Sequence, residues 1–225
     1  MAKSKLAKLI KRELDELIGK LVEVGLADSQ NFPSETTLAN KVWAVSTDGP
    51  NLAAALKKRS YANMYASQRE KGTYGALLLD GAMLQFSYEG SGEKLIRHRL
   101  SYLPSPNLEP FQNDPDLYLH ELHFVDIVGH QVVPVPLRFD FDARDGIAID
   151  VVHPVSHLTL GQYQHCRLPV ARPLAPTDFV TFIVQHFYST PDTEPVTFPS
   201  HVNKLMESIT LRERNHIHMA LPELK

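Results

Sequence analysis

Hydrophobic and polar residues follow two different periods along the chain, and the first is helical. Between residues 6 and 24 the apolar positions recur every three or four residues, as on one face of an α-helix; they are Leu6, Ile10, Leu14, Leu17, Leu21 and Val24. Gly25 predicts the end of this helix. Residues 26–40 contain several turn-forming residues and predict a loop.

Alternation with a period of two then predicts an antiparallel sheet. Residues 74–79 and 82–88 flank Asp80-Gly81, a dipeptide typical of hairpin turns because both positions favour positive φ. A second turn is predicted at Asp145-Gly146. Further strands are predicted at 42–45, 94–102, 124–128, 132–141, 147–152 and 158–160.

Helical patterns return near the C-terminus. Thr177 is a predicted N-cap for a helix whose buried stripe is Phe179, Phe182, Ile183 and Phe187. Ser200 is predicted to cap a last helix, whose apolar positions are Val202, Leu205, Met206 and Ile209. A short helix is also predicted at 52–59. The order of a helix, a mainly antiparallel sheet and two C-terminal helices predicts an α+β fold, as one domain over residues 1–225.

Composition limits the classes of function. The chain has 225 residues, 43% of them hydrophobic, and a formal net charge of −3, so affinity for nucleic acid requires a local basic patch. Its one cysteine, Cys166, excludes an internal disulfide framework and a zinc site with several thiolates, and favours a cytoplasmic location. No apolar run approaches the roughly 20 residues of a membrane span, so no membrane partner is expected.

The N-terminal helix has two interpretations. Its apolar stripe either packs on the rest of the chain or docks on a protein partner or a second copy, which makes residues 1–25 a candidate interaction element.

Polar functional groups concentrate in residues 150–172, and three interpretations of this segment stay open. The first is a metal site, since Asp150, His153, His157, His165 and Cys166 are all ligand types. Pro154 disfavours a helix there, and on a strand the first two histidines would lie about 13 Å apart. This geometry disfavours a shared ion, so no metal is predicted. The sequence has no Gly-rich phosphate loop and no dinucleotide fingerprint, so no cofactor is predicted either.

The second interpretation is metal-free phosphodiester chemistry. His157 would transfer protons with His153 or His165 as its partner, and Thr159 would share its strand face. Phosphate would bind Arg167 and Arg172, while Tyr163 would stack on a base or orient a histidine. The full set is His153, His157, Thr159, Tyr163, His165, Arg167 and Arg172. The run His157-Leu-Thr-Leu160 resembles one half of the two-histidine phosphoesterase signature, of which the chain has no second copy.

The third interpretation is architectural. Histidines beside hydroxyl groups often make structural hydrogen bonds, and Arg167 and Arg172 would then pair with Asp140, Asp142 or Asp150. Two other sets of polar residues were considered as functional sites. Arg212 to His218 resembles the arginine–histidine motif of HEPN-type ribonucleases or is a solvated helical turn, and His120 and His123 are interpreted as ordinary polar positions.

Longer motifs resemble one uncharacterised family over nearly the whole chain. They are Tyr102-Leu-Pro-Ser-Pro, Pro136-Leu-Arg-Phe-Asp-Phe-Asp, His153-Pro-Val-Ser-His-Leu-Thr-Leu-Gly, Arg167-Leu-Pro-Val and Pro176-Thr-Asp-Phe-Val-Thr-Phe-Ile. The chain is similar to the domain of unknown function numbered two-two-nine-zero, which implies a bacterial origin and no established activity.

The leading hypothesis is a nucleic-acid-processing protein: a metal-independent RNase or phosphodiesterase of a bacterial defence or toxin-type system, with RNA or a nucleotide as ligand. The alternative is a non-catalytic module that binds a ligand or a protein.

Overall fold

The computed structural model describes residues 4–47, 60–106, 135–163, 165–188, 196–202 and 205–221. Four helices occur there: α1 Lys5–Glu23, α2 Tyr61–Glu70, α3 Pro176–Phe187 and the short α4 Leu211–Arg214. Nine strands occur in the same residues: β1 Ala27–Gln30, β2 Ser34–Thr37, β3 Trp43–Ser46, β4 Ala76–Leu78, β5 Met83–Ser91, β6 Lys94–Leu103, β7 Leu137–Asp142, β8 Ser156–Leu160 and β9 Arg167–Pro169. The fold is α+β, as predicted.

The strands form one antiparallel sheet in the order β1-β4-β5-β6-β7-β8-β9. Strand β3 pairs with β2 and with the second half of β5, on the edge where β4 pairs with the first half. The predicted hairpin at Asp80 is confirmed, with Gly81 at φ +77° and the Ala82 N–H donating to Asp80 Oδ1 over 2.9 Å.

One face of the sheet carries the main core. Leu84, Phe86 and Tyr88 of β5 and Leu100 and Tyr102 of β6 belong to one buried cluster together with the apolar residues of α1 and α3. The stripe of α1 is therefore used within the chain, and Gly25 ends the helix at φ +74°. A contact between residues 1–25 and a partner or a second copy stays a prediction.

The opposite face is apolar at one end only. Met64 and Tyr65 of α2 cover Met83 of β5 and Leu103 of β6, in a small cluster that also contains Leu77. Farther along, this face carries polar side chains of β5 to β9. Helix α2 thus leaves a polar surface beside it, and we call this surface the polar face.

A buried carboxylate joins three segments on the helical side. Glu13 of α1 is fully buried and accepts four hydrogen bonds, from the Thr177 N–H and hydroxyl and from the N–H groups of His201 and Val202, over 2.6–2.9 Å. Thr177 was predicted to cap α3, and this is wrong. The N-cap is Ala175, whose N–H donates to Asp178 Oδ2 over 2.9 Å.

Three other predictions of secondary structure are wrong. The predicted loop at 26–40 contains β1 and β2, short strands whose polar residues show no apolar alternation. The strand predicted at 147–152 is a turn region with one isolated bridge between Ile149 and His153. Residues 205–210 are not helical, and the final helix begins only at α4, capped by Thr210.

Predictions at 52–59 and 124–128, and those for His120 and His123, lie outside the described residues. Within the described residues, no helix combines the length and the apolar character needed to cross a membrane.

Candidate phosphate-binding site on the polar face

Strand register places five polar residues in one line across the sheet. Gln85 on β5 lies opposite Ser101 on β6, Ser101 opposite Arg138 on β7, Arg138 opposite Thr159 on β8, and Thr159 opposite Arg167 on β9. Residues directly opposite each other in adjacent strands point to the same face. We call these five residues the polar row; at about 4.8 Å per strand, it is roughly 19 Å long.

Three buried polar atoms in this row lack a hydrogen-bond partner among the residues that the structure describes. They are Gln85 Oε1, Thr159 Oγ1 and Arg167 Nε; Gln85 is 2% exposed and Thr159 is 8% exposed. A buried polar group without a partner costs roughly 1–3 kcal/mol, so native structures rarely keep one without a reason. Because three such atoms lie in a single row, we take this surface as the candidate site.

The next line across the sheet is a charged cluster around Asp140. Arg99 Nε donates to Asp140 Oδ1 over 2.8 Å, and Arg138 Nε donates to Asp140 Oδ2 over 2.5 Å. Burial raises the pKa of Asp140, but the charges of Arg138 and Arg99 outweigh this effect and hold the pKa at about 2. Asp140 is therefore ionised at neutral pH and fixes both guanidinium groups on the polar face.

His157 lies next to this cluster, with Nε2 3.7 Å from Asp140 Oδ2. Its Nδ1 lies 2.8 Å from the Pro154 carbonyl oxygen, which can only accept, so Nδ1 carries the hydrogen. Burial lowers the pKa of His157 to about 4, against the opposing charge of Asp140. The ring is neutral at physiological pH and 2% exposed.

His153 contacts His157 and is more exposed. The two rings meet edge to face with centroids 4.9 Å apart, and His153 Nδ1 lies 3.0 Å from the Ile147 carbonyl oxygen. A carbonyl oxygen can only accept, so this contact places a hydrogen on His153 Nδ1. On a regular strand these two histidines would lie about 13 Å apart. Residues 150–152 form a turn instead, with Val151 at φ +69°, and this turn brings the two rings together.

The other predicted site residues lie elsewhere. His165 and Cys166 are exposed in the turn between β8 and β9, as is Tyr163, which is 74% exposed. Arg172 is 2% exposed, and its guanidinium forms a forked pair with the Asp178 carboxylate at 2.7 and 3.3 Å. The structure therefore brings His153, His157, Thr159 and Arg167 together, but not Tyr163, His165 or Arg172.

Arg167 differs from the other arginines of the polar face in its ion pairing. Arg97 lies 3.5 Å from Glu89, and Arg99 and Arg138 share Asp140. Arg167 has no ion pair within the described part of the chain, and its charge is one of the influences that lower the pKa of His157. It is a partly buried cation whose Nε–H is available to an anion.

The metal interpretation requires several ligand side chains around one point. Among the residues that the structure describes, no three side chains of His, Cys, Asp or Glu converge on one point. Asp150 is engaged instead with the final helix, because the Thr210 hydroxyl donates to it over 2.6 Å.

Comparison with known proteins shows the family of the chain but gives no activity. The family model described as "uncharacterized conserved protein (DUF2290)" matches residues 26–221. The chain belongs to this family. The match covers α2 and every strand, so the DUF2290 region includes the whole polar row. No curated protein and no solved structure matches the chain.

Sequence reasoning missed Gln85, Ser101, Arg99, Arg138 and Asp140 as site residues. The alternation of Arg138 and Asp140 with Leu137 and Phe139 did place both polar residues on one strand face. Their neighbours on β5 and β6 depend on strand register, which a single sequence does not encode locally.

Proposed function

We propose that the polar row binds phosphate groups of an RNA strand and that the chain acts in nucleic-acid processing. The observation that carries the proposal is the adjacency of Thr159 and Arg167, two polar side chains with unpartnered buried atoms, beside Arg138. An anionic oxygen would accept from the Arg167 Nε–H and from the Thr159 hydroxyl, and would remove both unpaired groups at once.

Charge supports an anionic ligand. Arg97, Arg99, Arg138 and Arg167 all project from this face, while the chain as a whole has a net charge of −3. Glu89, Asp140 and Asp142 on the same face offset the charges of the other three arginines, so Arg167 supplies the local positive charge that the composition required for RNA binding. Arginine also suits phosphate better than lysine does because its planar fork donates two parallel hydrogen bonds.

Replacing Arg167 with glutamine is expected to weaken binding of a short fluorescein-labelled oligouridylate by about tenfold at low salt, because one phosphate contact is lost. The measurement is fluorescence anisotropy over a series of salt concentrations, and the slope of log affinity against log salt should become shallower by about one.

Arg12→Gln is the matched control, since it removes the same charge from the exposed side of α1, where Arg12 pairs with Glu16 at 2.8 Å. Equal losses in the two variants would show that binding follows net charge and not the polar row.

A second candidate function, metal-independent cleavage of the bound RNA, is favoured by the contact between His153 and His157. Cleavage would need a base to take the proton from the ribose 2′-hydroxyl as its oxygen attacks the adjacent phosphorus. An acid would then donate a proton to the departing 5′-oxygen, leaving a 2′,3′-cyclic phosphate. His153 is the exposed member of the pair and would exchange protons with the ligand, while Arg167 and Arg138 would stabilise the charge on phosphorus.

His153→Gln is therefore expected to reduce cleavage of oligouridylate in excess EDTA by at least about a hundredfold, with RNA affinity little changed. Product analysis by denaturing gel and mass spectrometry checks the cyclic phosphate. His165→Gln serves as the comparison, because this histidine is exposed in the β8–β9 turn. Cleavage that persists in His153→Gln but disappears in His165→Gln would contradict this arrangement.

A further inference from the structure

A pocket opens at the other end of the polar row, beside α2. About 430 Å³ of space, part of it open solvent, lies between α2, β5 to β7 and the turn after β8. Gln85, Ser101 and Arg138 of the polar row line its floor, and Tyr61 and Met64 of α2 form one wall. The pocket and the candidate phosphate contacts therefore share Arg138.

One buried acceptor in this pocket has no donor within the described part of the chain. The Gln85 side-chain amide donates through Nε2 to the Thr73 carbonyl oxygen over 2.5 Å and to Gln68 Oε1 over 3.3 Å. A carbonyl oxygen can only accept, so this contact fixes which end of the amide is nitrogen. Oε1 is then the free end, and it is buried without a partner in a residue that lines the pocket.

The walls of the pocket suit a flat ring. Met64, Leu103 and Leu137 contribute apolar surface, and the Tyr61 ring is held in place because its hydroxyl donates to the Pro104 carbonyl oxygen over 2.5 Å. Flat heterocycles bind such sites through stacking on an aromatic side chain and through a few polar groups at their edge.

We propose that this pocket holds the base of a nucleotide whose phosphate contacts Arg138 and its neighbours in the polar row. The base presents an N–H group to Gln85 Oε1 and an adjacent carbonyl oxygen to the Arg138 guanidinium, as the lactam edges of uracil, guanine and hypoxanthine do. This inference rests on the proposed phosphate-binding function and adds the part of the ligand that distinguishes a nucleotide from a bare phosphate.

The pairing follows from donor and acceptor character. Gln85 Oε1 accepts only, and a guanidinium donates only, so their joint complement is a donor beside an acceptor. A base edge of that kind relieves the unpaired Gln85 oxygen, and arginine is a common partner of base carbonyl groups.

Isothermal titration calorimetry with the full chain tests the inference. The ligands are uridine and inosine 5′-monophosphates, their counterparts methylated on the lactam nitrogen, and ribose 5-phosphate. In uridine and inosine the lactam N–H is the only N–H of the base. We expect at least one nucleotide to bind about tenfold more tightly than ribose 5-phosphate, and methylation to remove this advantage.

Gln85→Met should likewise remove the difference in affinity between a nucleotide and its counterpart methylated on the lactam nitrogen. Gln162→Met is the matched control, because Gln162 lines the same pocket but is exposed, and it should retain the difference. The methylation comparison uses the unaltered protein, so it decides the matter even if Gln85→Met does not fold.

The inference is overturned if methylated and unmethylated nucleotides bind equally, or if ribose 5-phosphate binds as tightly as both nucleotides. Failure of the phosphate proposal gives a different result: Arg167→Gln then leaves the affinity for every ligand, ribose 5-phosphate included, unchanged.

Discussion

Replacing Glu13 with alanine is expected to lower the free energy of unfolding by about 3–5 kcal/mol, which is a large part of the stability of an ordinary domain. The substitution removes the acceptor for the N–H groups of Thr177, His201 and Val202 and for the Thr177 hydroxyl. These donors lie where α1, the start of α3 and the segment 196–202 meet, so water cannot replace the carboxylate without opening the core.

Urea unfolding followed by circular dichroism measures this effect. Glu13→Gln should be less harmful, since the amide oxygen still accepts two hydrogen bonds while its NH₂ group faces donors. Glu16→Ala is the control on the same helix, because Glu16 is partly exposed and pairs with Arg12 and His201. Similar losses for Glu13→Ala and Glu16→Ala would contradict the role of Glu13.

Mild acid is expected to destabilise the fold because two histidines are buried in the neutral form. Burial lowers the pKa of His98 to about 3 and that of His157 to about 4, from a usual value near 6.5. Between the pKa values of the folded state and about pH 6.5, the unfolded chain binds more protons than the folded one. The free energy of unfolding therefore rises with pH in this range. The stabilisation is complete above about pH 6.5 and is lost as the pH falls below it.

The expected loss is about 2 kcal/mol for each histidine between about pH 7.5 and about pH 5, measured as the free energy of unfolding in urea. Asp140 does not contribute in this range, because its pKa of about 2 confines its effect to stronger acid. His98→Gln keeps an acceptor for the Leu174 N–H, now bound over 3.0 Å by Nε2, and should roughly halve the pH dependence. An unfolding free energy that is the same at both pH values would contradict this account.

The parts of the fold that the sequence predicts are those with a local signal. The apolar period of α1, the Asp80-Gly81 turn and the alternation through Arg138 and Asp140 each lie in one short window, and each is confirmed. Strands β1 and β2 have no such signal, since their polar residues pair through backbone groups.

Helix α2 was missed for a related reason. Its residues Tyr61–Glu70 have little amphipathic pattern, because it buries only Met64, Tyr65 and Gln68 against the end of the sheet. Glu13, by contrast, did carry a signal: it lies three residues after Ile10 and four before Leu17, on the buried stripe of α1. A glutamate is seldom fully buried unless it is paired, so this position was not recognised as part of the core.

The candidate site also combines residues that have a local sequence signal with residues that have none. The predicted segment 150–172 includes His157, Thr159 and Arg167, and the first two alternate on one strand. Gln85 and Ser101 come from strands more than fifty residues earlier, and only sheet register joins them to Thr159. The assignment to a bacterial defence or toxin-type system stays a prediction.

Ultraviolet cross-linking of a 4-thiouridine-labelled oligoribonucleotide, followed by mass spectrometry of the peptides, tests most directly whether RNA lies on the polar row. We expect cross-links to peptides that contain Tyr61, Arg138 or the turn at 161–166, and a loss of these cross-links in Arg167→Gln. Cross-links confined to the basic side of α1, around Lys5, Lys8 and Arg12, would contradict the account.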